Sequence, residues 1–210
     1  MRLPAEWEPQ QLVLMTFPHR AGDWGDDLPA VSAAMITAAN AINTVTPVLL
    51  IVPDPEHFAR YADDFSGETI ELPANDCWIR DYGPLTVFDA QNQPVFLDFT
   101  FNGWGGKFPA ELDNALTKKL QQKRFPGVKR QAVDLVLEGG SLESDGLGTL
   151  LTTTSCLFSA GRNGWDDPEK AEVILRQYFG KRSDVYWLTD GTLLGDDTDG
   201  HVDTLARMLD

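Results

Sequence analysis

The chain of 210 residues is 42% hydrophobic, enough apolar material for one sizeable core, so a disordered polypeptide is excluded. Its 32 acidic against 17 basic side chains leave a formal charge of -15, a field that repels nucleic acid and anionic membrane and draws in cations. No stretch approaches the ~20 apolar residues of a membrane span, MRLPAEWEPQ at the start has no apolar targeting core, and two cysteines are too few for a disulfide framework, so a soluble cytoplasmic protein is expected.

In chain order, LPAVSAAMITAANAIN (28–43) reads as a helix leading into the apolar strand PVLLIV (47–52). DPEHFARYADDF (54–65) reads as a second helix, capped by Asp54 with Pro55 at its first position. ETIEL (68–72) and NDCWIRD (75–81) are short strands, and PLTVF and PVFLDFTF flank the turn DAQNQ; these complete a first module. A second module begins with the helix PAELDNALTKKLQQKRF (109–125), followed by the strands QAVDLVLEGGS (131–141) and TLLTTTSC (149–156), with turns at Gly139-Gly140 and SDGLG. The helix DDPEKAEVILRQYFG (166–180) then leads to the strand DVYWLTD and to GDDTDGHVDTL (195–205). Each time a helix and a buried strand are followed by a segment bearing acids, so the order of elements repeats although the letters do not, as if modules around one centre each offered an acid.

Three of these segments carry candidate chemistry. In an extended backbone His201 and Asp203 share a face, and a carboxylate beside an imidazole favours the imidazolium, a general acid near neutral pH. In NDCWIRD, Asp76, Trp78 and Arg80 would share one strand face, with Cys77, Ile79 and Asp81 on the other. Carboxylates beside tryptophan suit a flat cation that stacks on rings and takes paired hydrogen bonds, and Trp104 in FNGWGGK adds a ring in a glycine turn. Core packing for both rings, and a structural ion-pair cluster of Asp76, Arg80 and Asp81, remain open readings at this level. Glu138 ends the apolar strand AVDLVL at the double glycine, where it can line a pocket.

Other motifs fail. A calcium loop placed on Gly200 would begin at Gly195 and need its glutamate where Ala206 stands, and the glycines Gly146 and Gly148 do not open a helix as a dinucleotide site requires. The run Asp199, His201, Asp203 matches the D-x-H-x-D ligand pattern of arginase-type ureohydrolases, but a two-metal site needs further histidines, and His19 and His57 lie in unrelated contexts. No metal and no cofactor is expected.

Together, LPAEWEPQ, NDCWIRDYGPLTV, FNGWGGKFP, LEGGSLESDGLGTLLTTTSCL and DGHVDTLAR resemble the agmatine deiminase and Porphyromonas-type peptidylarginine deiminase family, in order from residue 4 to the end of the chain. The resemblance implies an α/β pentein fold, a five-bladed propeller of ββαβ-like modules of which about three are present, so residues 1–210 would be a single incomplete deiminase domain. It implies a metal-free reaction in which a cysteine thiolate attacks a guanidinium carbon, ammonia leaves, and water releases a ureido product. Carried over motif by motif, Asp81 and Asp203 would grip the guanidinium, Glu138 would be the third acid, and His201 the acid and base; Asp76, Trp78 and Trp104, from their residue types, are the candidates for binding substrate.

In that family the nucleophilic cysteine lies well beyond the H-V-D motif. Cys77 and Cys156 match other family positions, so the chain as given is expected to be inactive, with TLARMLD ending inside a strand. Agmatine, converted to N-carbamoylputrescine in polyamine metabolism, is the preferred substrate, a small dication for an acidic protein. Peptidyl arginine is the alternative substrate, and a non-catalytic guanidinium-binding or assembly module is an alternative of another class. Apolar edges left by absent modules would favour self-association.

Overall fold

The computed structural model describes residues 1–180, 184–189, 195 and 199–209. Among these, nine strands form three sheets of three strands each. The first sheet contains β1 (Val13–Thr16), β2 (Val48–Val52) and β3 (Glu68–Glu71), all parallel, with the helix Leu28–Asn43 crossing from β1 to β2. All five residues of β2 are buried, and its alternation sorts them between two cores. Leu49 and Ile51 join Ile70, Tyr82, Phe101, Leu116 and Leu120, while Leu50 and Val52 join Phe17, Ile36 and Phe58. A strand covered on both faces reads as an unbroken apolar run, which is why PVLLIV is legible as one.

The second sheet pairs β4 (Leu85–Phe88) antiparallel with β5 (Pro94–Thr100), and β5 parallel with β6 (Lys129–Val136) across the helix Leu116–Arg124. The third repeats this order: β7 (Glu143–Ser144) antiparallel to β8 (Thr149–Thr153), then the helix Pro168–Phe179, then β9 (Asp184–Leu188) parallel to β8. A shared core of Val87, Leu97, Phe99, Leu137, Leu150, Leu157 and Leu175 joins the second and third sheets. The α/β class and the repeated order therefore hold. The DAQNQ hairpin, however, belongs to the second sheet rather than closing the first.

Local differences from the sequence reading have local causes. NDCWIRD is not a strand: Asp113 accepts the Asn75 amide at 2.7 Å, Asp76 takes the Cys77 amide at 2.6 Å, and residues Ile79–Tyr82 wind into one helical turn. The Asp54 cap and Pro55 start a helix as expected, but it runs only over Pro55–Phe58. The segment 109–125 divides into Glu111–Asn114 and Leu116–Arg124. TLLTTTSC leaves the sheet at Thr153, whose hydroxyl caps the turn Thr154–Leu157, and Val202–Thr204 is a 3₁₀ turn with no strand over 205–209. Asp196, Asp197 and Thr198 of the aspartate-rich run lie outside the described residues. No helix among the described residues is long and apolar enough to cross a membrane.

Candidate active site

Three turns that follow β3, β6 and β9 meet at Gly139-Gly140. Gly139 lies against the helical turn Ile79–Tyr82, where a Cβ would fall 2.1 Å from the Arg80 carbonyl oxygen. Gly140 faces the side chains: a Cβ there would stand 2.7 Å from both Asp81 Oδ1 and His201 Nδ1 and 2.8 Å from Asp203 Oδ2. The double glycine is thus a requirement of close approach, and Asp81, His201 and Asp203 surround one point.

His201 is buried, and its Nε2 lies 3.0 Å from Glu138 Oε2 while Nδ1 lies 3.6 Å from Asp81 Oδ1. The turn before it is held by Thr153, whose hydroxyl donates to the Gly200 carbonyl at 2.6 Å. Asp81 accepts the Gly140 amide at 2.9 Å on one oxygen and the Trp104 indole N–H at 3.0 Å on the other. Trp104 holds left-handed backbone angles (φ 55°, ψ 49°), sparsely populated for a residue with a Cβ. Edge-to-face contacts with Phe101 and Phe108, at 5.0 and 5.7 Å between centroids, hold the ring in place.

The charges on these groups follow from their neighbours. Burial lowers the affinity of His201 for a proton, but the Glu138 hydrogen bond and the Asp81, Glu138 and Asp203 charges outweigh it, so His201 titrates above its usual 6.5. Burial acts to raise Glu138, yet the hydrogen bond from His201 and the Arg162 charge hold it below its usual range. Asp81 is raised by burial, against the His201 charge and the Trp104 and Gly140 hydrogen bonds. The shifts at His201 and Glu138 both favour a proton on the imidazole over one on Glu138.

Two predicted binding residues stand apart. Asp76 is engaged with the Cys77 amide, and Trp78 is 54% exposed beside Trp24, 6.2 Å away; the Asp81 amide donates to the Trp78 carbonyl at 3.0 Å, but among the described residues no side-chain hydrogen bond or ring contact joins either residue to the acid cluster. Sequence reasoning overlooked Arg162, whose Nε reaches both Glu138 oxygens at 2.9 and 2.8 Å. The one signal available was an arginine inside the polar turn SAGRNG, and nothing local marks it as buried. Both thiols are buried: burial pushes Cys77 up to about 12, and burial with the Glu138 charge pushes Cys156 well above its usual value. Glu138, Cys156 and His201 offer ligand atoms within 4.8 Å of one another, a set that could attract a soft divalent ion. The Arg162 guanidinium already lies on both Glu138 oxygens, so such a cation would be placed beside a buried positive charge.

Fold and site define an α/β protein in which successive sheet units deliver carboxylates and one imidazole to a common centre. Comparison places it more narrowly: the Porphyromonas-type peptidyl-arginine deiminase family matches residues 2–210, and the chain belongs to that family. A curated Shewanella baltica relative bearing the agmatine deiminase name is 36% identical over 212 residues, 97% of this chain and 56% of the relative. Among solved structures, a variant agmatine deiminase of C. jejuni with substrate bound has a TM-score of 0.92 at 35% identity, covering 100% of this chain and 62% of that one. The agmatine deiminase of Enterococcus faecalis gives 0.89 at 36%, covering 99% and 57%. The chain therefore spans somewhat more than half the length of the relatives it matches.

Proposed function

We propose that this chain carries the guanidinium-gripping and acid–base part of an agmatine deiminase, within a five-bladed pentein propeller of which it supplies about three blades. Asp81 and Asp203 hold the guanidinium nitrogens, and Glu138 completes the acidic surround. A thiolate attacks the guanidinium carbon, His201 gives a proton to the departing ammonia, and the same imidazole then takes a proton from the water that releases N-carbamoylputrescine and restores the thiolate. The observation that carries this reading is the meeting of Asp81, His201 and Asp203 around the space left by Gly140.

This reading assigns the nucleophile to neither thiol present: both are buried, and burial raises both pKa values, which disfavours the thiolate. By itself the chain binds agmatine weakly, turns none over, and associates through the edges of its sheets. The test measures ureido product from agmatine and from an arginine peptide, using this chain alone and joined to the downstream segment of its gene. Turnover only in the joined form, faster on agmatine, supports the reading. Robust turnover by the 210 residues alone, abolished by Cys77→Ser or Cys156→Ser, would overturn it.

A further inference from the structure

Arg162 has no part in the reaction as proposed, yet it is among the most enclosed charged groups of the described chain, its side chain only 5% exposed. Burying a guanidinium is costly unless it is closely paired, so its partners explain its place. Besides the two Glu138 oxygens it reaches Ser159 Oγ from Nη1 at 3.2 Å, and Nη2 lies 3.7 Å from Asp199 Oδ2. Its loop is fastened at both ends of the site. Asn163 donates to the Val136 carbonyl at 2.9 Å and accepts the Val136 amide at 3.2 Å, two residues before Glu138. Asn102 donates to the Gly161 carbonyl at 2.7 Å, and a Cβ on Gly161 would fall 2.9 Å from the Gly105 carbonyl oxygen, in the turn that aims Trp104 at Asp81.

We propose that Arg162 is a positioning residue: its guanidinium keeps Glu138 ionised and aimed at His201, so that the exchangeable proton of the site resides on the imidazole and not on the acid. Without it, Glu138 would be left with His201 and the Cys156 thiol, 3.4 Å from Oε2, as buried partners. Removing a nearby cation raises the proton affinity of every group it touched. Glu138 and His201 would then share their proton at a higher pH, and the imidazole would be slower to surrender it. The charged and titratable groups around His201 are Glu138, Asp81 and Asp203, with Arg162, Cys156 and Asp199 beyond Glu138. Arg162 is the cation in contact with Glu138, and Lys107 pairs with Asp199 at the edge of this set.

The inference rests on the deiminase reading for its catalytic meaning, but its test is independent of turnover. The chain has three histidines, so each imidazole can be followed by NMR through a pH titration. Arg162→Gln is expected to move the His201 midpoint up by about one pH unit. Arg162→Lys, which keeps the charge, should leave the midpoint close to that of the parent, whereas a merely structural role would change the melting temperature and leave the midpoint in place in both variants. A His201 midpoint unchanged in folded Arg162→Gln overturns the proposal. Should that variant not fold, the wild-type Arg162 Nε–H decides: slow solvent exchange across neutral pH, lost in Glu138→Gln, supports it, and fast exchange throughout overturns it. If the joined enzyme fails to turn over agmatine while the His201 shift is present, the deiminase reading falls and the assignment of Arg162 stands.

Discussion

Gly140→Ala separates the site from the fold. The backbone at 140 does not adopt a positive φ, so alanine is accepted there without backbone strain. The added Cβ would nevertheless lie 2.7 Å from Asp81 Oδ1 and His201 Nδ1, against 3.4 Å for an ordinary contact, so each must withdraw by about 0.7 Å. That displacement loosens the 2.9 Å bond from the Gly140 amide to Asp81 and the 3.0 Å bond from His201 to Glu138. Hydrogen bonds to charged groups contribute about 1.5–3 kcal/mol each, and a misplacement near 1 Å can cost ~10²-fold in rate. In stability, part of that loss is offset because alanine lowers unfolded-chain entropy, which stabilises by about 0.4–1 kcal/mol. Agmatine binding to the chain, followed by titration, is therefore expected to weaken at least ~10-fold, with a thermal midpoint lowered less than in Gly139→Ala. Gly139→Ala is the contrast: its Cβ meets backbone, the Arg80 carbonyl, at 2.1 Å, so it should lower the melting temperature sharply. Wild-type agmatine affinity in Gly140→Ala would refute the convergence on which the site is built.

Asp113 is wholly buried, accepts the Asn75 amide, and is raised by burial from 3.8 to about 7. Because the folded state holds this proton more tightly, its contribution is greatest below pH 3.8 and is lost as pH climbs to about 7. Asp113→Asn should then flatten the difference in urea stability between pH 5 and pH 8 by about 1–3 kcal/mol; an unchanged difference would show that the acid is ordinary. Cys77 and Cys156 should react slowly with a thiol reagent at pH 7.5 in the folded chain and promptly in urea, since neither is a thiolate; rapid native labelling would contradict that. Zinc or manganese added to the chain should remain unbound in equilibrium dialysis, because Arg162 holds Glu138; stoichiometric uptake lost in His201→Gln would instead identify a metal centre.

Much of the fold was legible because its determinants are local. PVLLIV is a doubly covered strand by its unbroken apolar run, the helix 168–179 is bracketed by the Asp167 cap and Gly180 at φ 131°, and the DAQNQ turn joins two β-rich runs into the β4–β5 hairpin. His201 with Asp203, and Glu138, could be marked as candidates because an acid beside an imidazole and a carboxylate ending an apolar strand carry a chemical signature in any setting, whereas the part given to Asp81 came from the family resemblance. The tertiary structure decided what depends on groups distant along the chain. NDCWIRD has a strand's composition, but Asp113, 38 residues away from Asn75, takes its backbone amide, and the segment turns into a helical loop that leaves Trp78 exposed. Arg162 lies 24 residues from Glu138 in a polar turn that reads as exposed, and it is enclosed by the packing of that turn against Gly105 and its bonds to Val136. The two glycines at 139 and 140 could be read as a turn from sequence. That they are the space around which the site closes is set by the approach of three separate turns, which no local pattern of residues encodes.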